Sequence, residues 1–159
     1  MDTIEQFGWK YVCVTGGEPL LQPSAILLLK ALLSKTYIVS LETNGALSTK
    51  DVPPSVHVIL DVKCPQSGMS NKNEWSNLSR LQLHDEVKFV IADRSDYEFA
   101  KQVISQYNLF DKTNNVLLSP VFGELSPQEL IAWMTEDKLP ARLNLQIHKY
   151  IWDPAKRGV

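Results

Sequence analysis

The sequence predicts an α/β fold with parallel strands. Three observations lead there. Strand-like and helix-like segments alternate along the chain, the strands read as continuous apolar runs, and a polar or glycine-rich segment follows almost every strand. Alternation suits parallel crossovers. Continuous apolar strands suit a sheet covered on both faces. The length of 159 residues fits one domain, 1–159, with one sizeable core.

The elements follow in order. Residues 11–15 form a short β-rich run ending at Gly16-Gly17. Residues 24–34 are dense in Leu and Ala and read as a buried helix. Residues 37–42 make a second strand, stopped by Thr43-Asn44-Gly45, and 56–62 a third that is almost wholly apolar. Trp75, Leu78 and Leu81 stand at helical spacing among serines and asparagines. Residues 86–92 give a fourth strand. Ser95-Asp96-Tyr97-Glu98 is a capping box, with the serine oxygen placed to accept from the Glu98 backbone N–H. The helix it opens runs to about residue 107. Residues 115–119 are a fifth strand. Ser126-Pro127-Gln128-Glu129 repeats the capping device, with proline at the first helical position, where its missing N–H costs little. Residues 143–146 close the series. A doubly wound sheet, a whole barrel and a partial barrel all accommodate this order.

Composition narrows the class. Hydrophobic residues are 44% and charged residues 21%, the balance of a soluble globular protein, and the net charge of −2 argues against a dedicated nucleic-acid or membrane-surface binder. The longest apolar run, 25–29, is far too short to span a bilayer. The acidic, mixed N-terminus is no secretory signal. Two widely separated cysteines, Cys13 and Cys64, make neither a disulfide framework nor a metal motif. These features predict a cytoplasmic protein with reduced thiols, Cys13 packed in a strand and Cys64 a plain buried thiol.

The unusual residues share one location. Thr15-Gly16-Gly17-Glu18-Pro19, Glu42-Thr43-Asn44-Gly45, Asp61-Val62-Lys63-Cys64-Pro65 and Ser119-Pro120-Val121-Phe122-Gly123 each follow a strand, and Gln146, His148 and Lys149 end the last one. Parallel α/β folds bind ligands at the C-terminal ends of their strands, so these segments predict a composite small-molecule site. Each also has a plainer use. Gly16-Gly17 suits a tight turn and Asn44 ordinary turn chemistry. Glu18, held by Pro19 at a strand end, suits an ammonium group or solvent. Asp61 and Lys63 suit a structural ion pair and a ligand contact equally. Glu42 closes an apolar strand. His57 falls at the opposite end of its strand and reads as structural, and His84 as a surface turn residue. No phosphate-binding loop, dinucleotide fingerprint, zinc-protease motif or nucleophile elbow is present.

Taken together these segments resemble a known set. Val-Thr-Gly-Gly-Glu-Pro-Leu-Leu, 14–21, resembles the GGEP motif of radical S-adenosylmethionine (SAM) enzymes. The ordered series Leu-Glu-Thr-Asn-Gly at 41–45, Leu-Asp-Val-Lys-Cys-Pro-Gln-Ser-Gly-Met at 60–69, Asp-Glu-Val-Lys-Phe-Val-Ile at 85–91, Leu-Ser-Pro-Val-Phe-Gly at 118–123 and Leu-Asn-Leu-Gln-Ile-His-Lys-Tyr-Ile-Trp at 143–152 is similar to the 7-carboxy-7-deazaguanine synthase family over nearly the whole chain. The resemblance implies an incomplete (β/α)6 partial barrel. It implies a carbon–nitrogen lyase that rearranges 6-carboxy-tetrahydropterin to 7-carboxy-7-deazaguanine for queuosine and related 7-deazapurines, using SAM, a [4Fe-4S] cluster and Mg2+. It implies a small-molecule pterin substrate, no nucleic-acid or membrane partner, and a homodimer for the full-length family.

Carried onto this sequence, the resemblance implies SAM contacts at Gly17 and Glu18, at Asp61, Val62 and Lys63, and at Ser119, Pro120, Val121 and Phe122, with Glu42 and Asn44 as supporting members. It implies pterin contacts at Thr15 and His148. It assigns no catalytic residue and no metal ligand here. The family's cluster motif, three cysteines in a C-x-x-x-C-x-x-C loop after the first barrel strand, and the adjoining Mg2+ ligand have no counterpart in these residues. The expectation is a chain lacking the first strand and cluster loop, exposing a sheet edge and inactive by itself. An enzyme fragment, a non-catalytic SAM-pocket remnant or half of a split protein, and another GGEP-type radical SAM activase are the readings left open.

Overall fold

In the computed structural model, which describes residues 2–156, six strands hydrogen-bond in chain order: β1 (Tyr11–Val14), β2 (Ile38–Thr43), β3 (His57–Val62), β4 (Glu86–Ile91), β5 (Asn115–Pro120) and β6 (Arg142–Leu143). Every neighbouring pair is parallel. This order decides between the architectures that the sequence leaves open. A doubly wound sheet reverses its order at a switch point. Here each crossover advances one strand in the same direction, and crossovers that share the usual hand put their connections on one face and make an open arc of a barrel.

The one-sided cover corrects the reading of the strands as continuous apolar runs buried on both faces. Burial alternates along β2, β3 and β4. Val39 and Leu41, Val58, Leu60 and Val62, and Val87, Phe89 and Ile91 are buried. Their alternates are Ser40 and Glu42, His57, Ile59 and Asp61, and Glu86, Lys88 and Val90, which line the uncovered face half-exposed. Side chains of a strand point alternately to its two faces, so a helix layer on one side yields a period of two.

The helices are α1 (Asp2–Gln6), α2 (Ala25–Ser34), α3 (Arg94–Gln106), α4 (Leu109–Lys112), α5 (Pro127–Glu136) and α6 (His148–Ile151). The core has two parts. Leu29 and Leu32 of α2 meet Val39 and Leu41 at one end of the sheet. The larger part packs β3–β5 against Tyr97, Ala100, Val103 and Ile104 of α3 and Leu130 and Met134 of α5. Cys13 is exposed on β1 and does not belong to the core that the sequence assigned it. β1 is an edge strand, and its Tyr11 and Cys13 fall on the uncovered face.

Helix starts fall as expected at one site and not at the other. Ser126 accepts from the Glu129 N–H at 3.1 Å with Pro127 opening α5. At α3 the cap is Asp93, which accepts from the Asp96 N–H at 3.0 Å, while the Ser95 hydroxyl donates to Asp93 at 2.7 Å. A charged carboxylate two residues upstream outcompetes the serine for the helix N-terminus. The 75–81 segment is not an α-helix but a 3-10 turn, Trp75–Ser79. Its buried Asn77 accepts from the Thr49 N–H at 2.9 Å and donates to the Leu47 carbonyl at 2.9 Å. Tertiary partners thus set its conformation. The last strand is shorter than expected, and among the described residues no helix is long and apolar enough to cross a membrane.

Candidate functional site at the C-terminal edge of the sheet

All the strands are parallel, so the loops after β1, β2, β3 and β5 emerge from one edge. The first two are cross-linked. Glu18 is 8% exposed and lies at the start of a 3-10 turn, Pro19–Leu21. Its carboxylate accepts from the Leu20 N–H at 3.0 Å, the Thr43 hydroxyl at 2.9 Å and the Asn44 N–H at 2.7 Å. Thr15 adds a second tie, donating to Glu42 at 3.3 Å. Three neutral donors satisfy Glu18 without neutralising it, and no cation pairs with it among the described residues. A carboxylate offers about four acceptor positions, so a ligand ammonium can still be received.

Gly16 and Gly17 have φ of +102° and +50°, the region that favours glycine, and a Cβ on either would meet nothing within 4 Å. Conformation explains both residues, and the space beside them lets a ligand reach the backbone. Asn44 accepts from the Ala46 N–H at 3.0 Å, the turn role its type suggests.

After β3, Lys63 pairs with Asp61 at 2.8 Å from the same face of the chain. The other Asp61 oxygen, Oδ1, is buried and has no partner among the described residues. Asn73 holds this loop from both sides: Oδ1 accepts from the Lys63 N–H and Nδ2 donates to the Lys63 carbonyl, each at 2.9 Å. Sequence reasoning missed Asn73, and Thr43 was read only as part of a turn. Neither gave a signal, because each acts on a partner distant in the chain.

Asp61, Val62 and Lys63 line a cavity of about 420 Å3 with Val121 and Gln146, and Gln146 Oε1 is likewise buried without a partner. Two unsatisfied acceptors at one cavity are an opening for ligand donors. Ser119 is buried within β5. Pro120 and Phe122 instead line a neighbouring cleft with Tyr150, whose ring meets Phe122 edge-on at 5.3 Å. Thr15, Gly17 and Glu18 lie outside the 420 Å3 cavity, on the adjoining loops. His148 does not end a strand: it opens α6 and is exposed. His57 and His84 lie at the opposite edge, 6.1 Å apart, with His57 3.5 Å from Glu86.

Cys64 is buried, and that burial, with Asp96 and Asp61 nearby, pushes its thiol far above the ordinary range. Cys13 is on β1, with β2 between it and the strand that carries Cys64. These two do not fit an iron–sulfur cluster.

An open arc of parallel strands with its polar loops gathered on the C-terminal edge is a partial barrel of the kind that binds small molecules at its strand ends. The fold is similar to Streptococcus suis SuiB, at TM-score 0.53 and 13% identity over 94% of this chain and 43% of SuiB. It is also similar to SuiB bound to S-adenosylmethionine, at TM-score 0.51 and 15% identity over 85% of this chain and 38% of SuiB. No family model matches the chain. The 7-carboxy-7-deazaguanine synthase of Koribacter versatilis is 42% identical over 92% of this chain and 70% of its own length. That of Chlorobaculum tepidum is 43% identical over 100% and 73%, and that of Clostridium acetobutylicum 42% over 98% and 72%. The chain belongs to the 7-carboxy-7-deazaguanine synthase family of enzymes.

Proposed function

We propose that the C-terminal edge binds SAM across two loop pairs and presents a pterin to it, in the conversion of 6-carboxy-tetrahydropterin to 7-carboxy-7-deazaguanine. The observation that carries this reading is the pair of uncompensated features on one edge: the buried anionic Glu18 beside open glycine backbone, and the unpartnered acceptors of Asp61 and Gln146 at the cavity. Glu18 and the Gly17 backbone receive the ammonium of the methionine part. Lys63 offers its charge to the carboxylate. Asp61, Val62 and the 119–122 segment take the ribose and adenine, with Glu42 and Asn44 bracing the first loop pair. Thr15 and His148 face the pterin. SAM would supply a substrate-activating radical there only on receiving an electron from an iron–sulfur cluster.

Residues 1–159 make one core domain, and the cluster ligands and the Mg2+ ligand are not among them. The enzyme is cytoplasmic, dimerises with its own kind and has no nucleic-acid or membrane partner. Calorimetric titration with S-adenosylhomocysteine, which needs no cluster, tests the site. Saturable 1:1 binding is expected, weakened at least about tenfold by Glu18→Ala, the loss of one charged hydrogen bond. Saturable binding unaffected by both Glu18→Ala and Lys63→Ala overturns the assignment.

A further inference from the structure

The uncovered face below the SAM-side loops carries a cation, Lys88, that the assignment above does not use. Other charged residues of this face have close neighbours. Glu86 lies 3.5 Å from His57, Lys63 holds Asp61 Oδ2 at 2.8 Å, and Thr15 donates to Glu42. Lys88, in the middle of β4, makes no hydrogen bond or ion pair among the described residues, although it is half-buried. Strand register sets Lys88 beside Asp61 on β3 and beside Leu117 on β5. Asp61 Oδ1, on the adjacent strand, is the buried oxygen without a partner. The two groups are neighbours in register and share a face, yet they do not pair.

Strand register continues the row from Asp61 and Lys88 through Leu117 to Arg142, and Arg142 donates to Asn115 Oδ1 at 2.7 Å, which leaves Lys88 as the cation of the row without a partner among the described residues. An unpaired cation on the face below the ligand loops complements an anionic group of a ligand. The reaction's product, as the family name states, is a 7-deazaguanine bearing a carboxylate, and its ring carries N–H donors. We infer that Lys88 is a substrate-binding residue: its ammonium takes the carboxylate of the bound heterocycle. This rests on the reading of the edge as the synthase site. It adds a charge-specific anchor on the strand face below the loops, beside Asp61 in register and outside the lining of the 420 Å3 cavity.

The test is equilibrium binding of 7-carboxy-7-deazaguanine and of its uncharged primary carboxamide to the full chain. The wild type is expected to bind the carboxylate at least about tenfold tighter than the amide, the usual effect of one charged hydrogen bond, and to lose that preference as salt rises. Lys88→Gln is expected to bind both equally, with an unchanged circular dichroism spectrum, and Lys88→Arg to keep most of the preference. If Lys88→Gln fails to fold, Lys88→Met takes its place. An undiminished preference in either neutral variant overturns the proposal alone. Absence of binding of both ligands by the wild type overturns the synthase reading and the proposal together.

Discussion

At the residue scale, one glutamate serves two roles. Glu18 ties the β1 and β2 loops through three donors and still presents an uncompensated charge. Glu18→Ala leaves the Leu20 and Asn44 N–H groups without acceptors. It is expected to cost about 1–3 kcal/mol in urea unfolding, the penalty for stranded buried donors, as well as weakening ligand binding. A second residue sets an acid limit. Asp137 accepts from Lys101 at 2.7 Å and from the Tyr97 hydroxyl at 2.9 Å, and these two partners hold its carboxyl below the ordinary value of 3.8. A depressed folded value means stability that is fully present above pH 3.8 and lost as pH falls through the lower, folded value. Asp137→Asn should therefore lower the melting temperature at neutral pH and flatten its decline below pH 3.8, where the wild type falls more steeply.

At the element scale, the two helix starts separate a motif from its context. Ser126→Ala is expected to cost about 1 kcal/mol, and Asp93→Ala a similar amount, because each side chain satisfies an N–H of the first turn. Ser95→Ala should change stability by less than about 0.5 kcal/mol, since the Ser95 hydroxyl is a donor to the cap and not the cap itself. Chemical denaturation of the three variants distinguishes the assignments, and a Ser95→Ala loss equal to that of Asp93→Ala would restore the serine box. The 75–81 segment teaches the same lesson. Its helical spacing of Trp75 and Leu78 is real, but Trp75 spends itself stacking on Tyr107 at 5.6 Å and Asn77 on the Thr49 loop. Local pattern cannot register partners about thirty positions away.

At the scale of the whole molecule, the β1 edge governs behaviour. Trp9 and Tyr11 are more than 70% exposed at or just before the edge strand, whose outer side has no strand partner among the described residues, with Phe7 and Ile38 exposed beside them. An edge of this kind templates pairing with other chains. Tyr11→Lys combined with Ile38→Lys is expected to reduce self-association of the chain, read by light scattering after gel filtration, without lowering S-adenosylhomocysteine binding at the loops. The cysteine placement has a consequence at the same scale. Anaerobically reconstituted chain is expected to carry no stoichiometric cluster by iron and sulfide analysis, and one [4Fe-4S] per chain would contradict the geometry of Cys13 and Cys64.

The sequence by itself determined the strand and helix series, the strand-end location of the polar loops and the family, because short motifs such as Thr15-Gly16-Gly17-Glu18-Pro19 and Leu60-Asp61-Val62-Lys63 are contiguous. Their order along a parallel α/β chain is enough to gather them on one edge. Only the tertiary structure decided that the sheet is singly wound, since strand adjacency is not encoded in any one segment. It also decided that Cys13 is exposed, that Thr43 and Asn73 brace the loops, and that Lys88 stands beside Asp61 without pairing with it. Each of these depends on which residues meet across strands and loops far apart in the chain, and burial and hydrogen-bond satisfaction are properties of that meeting.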